Sequence, residues 1–83
     1  MTINEFDTFM SRKGFKKNLG NGAYEKTIRD MIKRYVFNGN NVFLESKTSL
    51  QKTFNMVSYA DLREVYINDS DQLSGFKRFI PAT

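Results

Sequence analysis

Ile3, Phe6, Phe9 and Met10 recur at helical intervals near the start of the chain and make one apolar stripe. Thr2 precedes them as a candidate N-cap, with Glu5 three residues on, the spacing of a capping box. Acidic Glu5 and Asp7 at the front and basic Arg12 and Lys13 at the back suit the helix dipole. Gly14 ends the pattern, and Phe15 can fold back on the last turn. The spacing therefore predicts an N-terminal helix.

The next stretch supports two readings. As a helix, Tyr24, Ile28, Met31, Ile32 and Tyr35 share one face. As strands, residues 24–28 and 32–37 flank a turn at Arg29-Asp30-Met31, with imperfect alternation. The residues beyond it favour a sheet. Asn38-Gly39-Asn40 is strong hairpin punctuation between two β-prone runs, Tyr35-Val36-Phe37 and Val42-Phe43-Leu44. Residues 51–57 read as a further strand, with Phe54 and Met56 on one face, because a lone hairpin is marginal in water.

Ser58 opens a second helical pattern, with Asp61 at the capping-box position and Tyr59, Leu62, Val65 and Tyr66 as its stripe. Leu73, Phe76, Phe79 and Ile80 read as a short terminal helix interrupted by Gly75 and ended by Pro81. The expectation is an α+β single domain over residues 1–83. It has an N-terminal helix, a small antiparallel sheet across roughly 23–57, and one or two C-terminal helices. The alternative is an all-α four-helix domain in which residues 23–36 are helical.

Composition narrows the chemistry. The 83 residues contain no Cys and no His, which removes disulfides, thiolate sites, cysteine nucleophiles and imidazole bases. Eight Phe and four Tyr supply enough apolar surface to fold. No apolar run approaches the roughly 20 residues of a membrane span, and no signal-peptide layout opens the chain. The expected setting is cytoplasmic, with no membrane partner.

Candidate catalytic constellations are thin, so no enzyme activity and no cofactor is expected. Asp61 and Glu64 fall where helix capping would place them. Asp69-Ser70-Asp71 lacks the later Gly and Glu of a calcium loop. Gly20-Asn21-Gly22 lacks the rest of a phosphate-binding loop and reads as a turn.

Charge is the informative feature. The net charge is +4, and it is uneven. Residues 11–35 carry eight cations against Glu25 and Asp30, a net of +6, while residues 36–83 balance. A clustered block favours polyanionic partners. Lys13, Lys16, Lys17, Lys26, Arg29, Lys33 and Arg34 are the candidate nucleic-acid-binding residues, interleaved with Phe15, Tyr24 and Tyr35. On a helix, Lys26, Arg29 and Lys33 would form one stripe; on two strands they would surround a tight turn at Asp30. No nucleic-acid-binding motif accompanies the charge.

A second class of function is a protein-directed inhibitor or adaptor that covers an acidic protein surface. In size, Asn-rich turns and the rhythm of one helix and a short meander, the chain resembles many phage and mobile-element products, with no residue motif behind the likeness. Some of these inhibit host defence nucleases. A basic chain is a poor mimic of DNA. Exposed strand edges would also allow homo-oligomer pairing.

Overall fold

In the computed structural model, which describes residues 1–81, one helix is followed almost entirely by sheet. Helix α1 spans Ile3–Arg12. Its capping box is complete: the Glu5 amide donates to Thr2 Oγ1 at 3.1 Å, and the Thr2 amide donates to Glu5 Oε1 at 2.8 Å. The Thr2 amide first, and then the Thr2 side chain, hold the Glu5 carboxyl below its ordinary pKa. The chain leaves the helix at Gly14, where the Phe15 amide closes back on the Met10 carbonyl at 2.9 Å. Among the described residues, no helix is long and apolar enough to cross a membrane.

Strands β1 (Lys16–Lys17), β2 (Tyr24–Ile28), β3 (Met31–Asn38), β4 (Asn41–Thr48) and β5 (Asn55–Asp61) run up and down as an antiparallel meander. A 3-10 turn (Leu62–Glu64) leads to a small hairpin of β6 (Tyr66–Ile67) and β7 (Leu73–Ser74). Finally β8 (Lys77–Arg78) returns to the far edge of the main sheet, giving the order β1-β2-β3-β4-β5-β8. The segment that could have been helix, 23–36, is the hairpin of β2 and β3, in register from Tyr24 opposite Tyr35 to Ile28 opposite Met31. The β3–β4 hairpin turns at Gly39-Asn40, where Gly39 has φ +62 and open space on the Cβ side. That is the sign of φ a type II′ turn needs at its first central position.

The expected fold class is corrected in two respects. The sheet is not confined to about 23–57, and no α-helix occurs among the described residues after 12. The stretch read as a helix from Ser58 is the end of β5 plus the 3-10 turn. Asp61, rather than Ser58, caps that turn, by accepting from the Arg63 amide at 2.9 Å. The strand read at 51–57 is displaced to Asn55–Asp61, because Val42 and Phe43 on β4 need partners on their second side and find Ala60 and Tyr59. The apolar spacing from Leu73 to Ile80 does not make a helix because Gly75 passes against the 3-10 turn. Its φ is +99, and a Cβ there would lie 2.3 Å from the Glu64 carbonyl oxygen. A helical φ at Gly75 is incompatible with that close approach.

The core lies between α1 and one face of the sheet. Phe6 is fully buried, edge-on to Tyr24 and Tyr35 at 5.5 Å and to Phe37 at 5.1 Å between ring centroids. Such edge-to-face contacts place the positive ring edge against a negative ring face. Phe9, Met10, Val42, Ala60, Leu62 and Val65 complete the buried set, with Leu73 and Phe76 packed against it. The 3-10 turn and the small hairpin therefore cover the same face as the helix. Among the described residues, no helix lies on the opposite face.

Candidate nucleic-acid interface

The seven basic residues are distributed by the period-2 alternation of the strands, in which residues paired across strands share a face. Lys17, Lys26 and Lys33 lie on the helix-covered face; Lys16 and Arg34 lie on the open one. Lys13 sits at the end of α1, and Arg29 occupies the tip of the β2–β3 hairpin. The structure thus brings some of these residues together and separates others.

Those brought together are Lys13, Lys26 and Lys33. They line one open cleft with Phe15, Tyr35 and Asp71, between the end of α1, the β2–β3 hairpin and the turn before β7. Lys26 and Lys33 are direct cross-strand partners. Lys26 Nζ donates to the Lys13 carbonyl at 2.7 Å and sits 5.8 Å from the Phe15 ring centroid, so it also closes the negative end of the helix. Lys13 Nζ lies 2.9 Å from Asp71. The Lys33 ammonium has no ion-pair partner among the described residues.

Asp71 is the carboxylate of this region. Arg12 grips it with two bonds of 2.6 and 2.8 Å, and Lys13 adds a third. These hydrogen bonds, Arg12 first, hold its carboxyl well below the ordinary range. Its backbone has φ +57, so this turn is held in an uncommon conformation that aims the carboxylate at the helix. The contact staples the C-terminal end of α1 to the small hairpin.

Beside the cleft, Lys16, Lys17 and Lys26 surround a notch at the sheet edge, where the two-residue β1 leaves the end of β2 unpaired. Lys17 Nζ stands 5.7 Å from the Tyr24 ring centroid. Arg29 projects from the hairpin tip at φ +58, a conformation that glycine would adopt with less cost. Arg34 is separated from this group. It donates to Glu45 at 2.7 Å, and its guanidinium lies 3.6 Å from the Phe54 ring centroid on the open face.

The aromatic residues expected to alternate with the cations are mostly inside. Tyr24 is buried and donates its hydroxyl to Asp7 at 2.8 Å; burial first, then that bond, raises its pKa to about 12. Phe15 and Tyr35 are half-buried against the core, and burial raises the Tyr35 pKa. Sequence reasoning missed Phe54, which stacks on Arg34, and Asp71, which pairs with two members of the block. The only signal for the first was the parity of positions 33 and 34 along β3. For the second there was none, because residues 12 and 71 meet only through tertiary folding. No family model, curated protein or solved structure matches this chain.

Proposed function

We propose that the protein is a non-enzymatic, cytoplasmic binding module that takes nucleic acid at the basic end formed by α1, β1, β2 and β3. One observation carries this reading: Lys26 and Lys33 face each other directly across two strands, with Lys13 in the same cleft. Like charges opposed across an antiparallel pair destabilise it. A phosphate bound between them offsets that repulsion. Of the carboxylates near this end, Asp71 is held by Arg12 and Lys13, Asp7 by Tyr24 and Glu25 by Asn18, which leaves Asp30 at the hairpin tip. Lys16, Lys17, Arg29 and Lys33 make no ion pair among the described residues, which supports a reading in which their charge attracts a polyanion.

Lys33→Glu is the test. It places a carboxylate opposite Lys26, so the fold should gain up to about 1 kcal/mol. At about 50 mM salt its binding to DNA or RNA should nonetheless fall at least tenfold, and the salt slope should drop. Lys52→Glu makes the same change in net charge at an exposed position between β4 and β5 and should bind nearly as the wild type does. Equal loss in both variants, or no wild-type binding at that salt, overturns the reading. The second outcome would favour an acidic protein surface as the partner.

A further inference from the structure

The sheet face opposite α1 lies outside the basic cleft. Its central row, read across four strands, is Val36, Phe43, Tyr59 and Lys77. Tyr59 is 38% exposed and Phe79 39%, while Phe43 and Met56 are half-buried beside them. Phe54 folds over this face from the β4–β5 loop and lies against Arg34, leaving the Phe43–Tyr59 side open.

Resting on the proposed binding of nucleic acid at the basic end, we infer that this nucleic acid is single-stranded and that its bases stack on the open face, on Tyr59 and Phe43. Three observations carry the inference. First, the two residues are direct cross-strand partners on neighbouring strands, which sets two aromatic side chains side by side on the open face. Antiparallel sheets that read single-stranded RNA use aromatic residues this way to hold two or three bases.

Second, the charge of the face fits a polyanion. Two of its carboxylates are paired with arginines, Glu45 with Arg34 and Asp61 with Arg63, and the third, Glu25, accepts from the Asn18 amide at the β1 edge, away from Phe43 and Tyr59. Lys77 and Lys16 on the same face make no ion pair among the described residues. The Arg63 bonds pull the Asp61 pKa down to about 2, so it stays ionised and engaged with Arg63.

Third, the face meets the basic end at the β1 edge, because Lys16, beside the basic notch, lies on the open face. A strand whose phosphates pass Lys33 in the cleft rounds the β1 edge at Lys16 and crosses β2 and β3 on the open face to reach Phe43 and Tyr59. A duplex keeps its bases stacked on each other and gains nothing from these rings. A second copy of the chain is a poorer occupant. The core of a homodimer interface is depleted of charge, and here Arg34, Glu45, Lys47 and Lys77 interrupt the apolar positions.

The experiment compares a fluorescent single-stranded 12-mer with a duplex of the same length at about 50 mM salt, on wild type, Tyr59→Ala and Tyr59→Phe. A thermal melt confirms that each variant is folded. Wild type should prefer the single strand. Tyr59→Ala should lose about tenfold in single-strand affinity, with duplex affinity within about twofold of wild type, and Tyr59→Phe should retain both. Equal wild-type affinity for the two probes, or an unchanged Tyr59→Ala, overturns the inference and leaves polyanion binding standing. A solution mass twice 9.7 kDa that reverts to the monomer in Tyr59→Ala also overturns it, and assigns the face to a second copy. No wild-type binding to either probe overturns both readings together.

Discussion

The two faces of the main sheet are made by the same strands and have opposite fates. On one, Tyr24, Tyr35, Phe37 and Val42 converge on Phe6, and α1, the 3-10 turn and the small hairpin seal them from water. On the other, apolar Val36, Phe43, Met56 and Tyr59 alternate with Arg34, Glu45 and Lys77, and among the described residues no helix covers them. The comparison shows how a chain this small divides its aromatic residues. One helix can bury one sheet face, and that face takes nearly all of the stabilising packing. Aromatic side chains on the second face contribute less to the core and remain available to a partner.

The largest test of this contrast is to truncate one ring on each side. Phe6→Ala empties the centre of the sealed face and should cost about 3–5 kcal/mol in a denaturant titration. Against a total stability of about 5–10 kcal/mol, that leaves the variant marginal at 37 °C. Tyr59→Ala on the open face should cost less than about 1 kcal/mol. Equal costs would show that the open face is also part of the core.

The next effect concerns what seals the first face. Gly75→Ala puts a methyl 2.3 Å from the Glu64 carbonyl oxygen at φ +99, so the hairpin must detach or deform. A loss of roughly 2–4 kcal/mol is expected by thermal melting. Gly39→Ala, at φ +62 with open space around it, should lose only about 1 kcal/mol.

A pH series sharpens the same boundary. The Asp71 carboxyl is held below its ordinary pKa in the folded state, so its contacts stabilise the protein above about pH 4 and that contribution is lost as pH falls further. Asp71→Asn should therefore lower stability at pH 7 and flatten the decline below pH 4. At the other end, the Tyr24 pKa is raised to about 12 in the folded state. The unfolded chain ionises near pH 10, so stability is full below that value and declines between about pH 10 and 12. Tyr24→Phe should blunt this alkaline decline, as read by circular dichroism.

The smallest effect is a gain. Arg29→Gly removes an arginine from the left-handed region at the hairpin tip and should raise stability by about 0.5–1 kcal/mol. If the basic end binds nucleic acid, it should also weaken that binding. A gain in stability with unchanged affinity would remove Arg29 from the interface.

Several features were legible because they are local. Thr2 and Glu5 name the helix start, and Ile3, Phe6, Phe9 and Met10 name its buried stripe, of which only Ile3 is exposed. Asn38-Gly39 places a hairpin, since a positive φ at a two-residue turn selects glycine whatever surrounds it. The basic block is countable from the chain itself. In each case the cause acts within a few residues.

What only the tertiary structure decided depends on partners far along the chain. Leu73, Phe76, Phe79 and Ile80 carry helical spacing, yet this stretch is built of short strands. Gly75 must pass the Glu64 backbone, and Lys77–Arg78 pairs with Ser58 and Tyr59 on β5. Residues 58–61 continue β5 because the β4 residues Val42 and Phe43 need partners on their second side, a demand invisible in the sequence of 58–61. The block of cations was divided in the same way. Register sets Lys33 opposite Lys26 in the cleft and sends Arg34 to the other face, while Asp71 withdraws Arg12 and Lys13 from across 59 and 58 residues. Local sequence fixes turns and caps because backbone sterics and short-range hydrogen bonds act there. Strand pairing, and with it the face each side chain occupies, follows only from where the rest of the chain can bury its apolar surface.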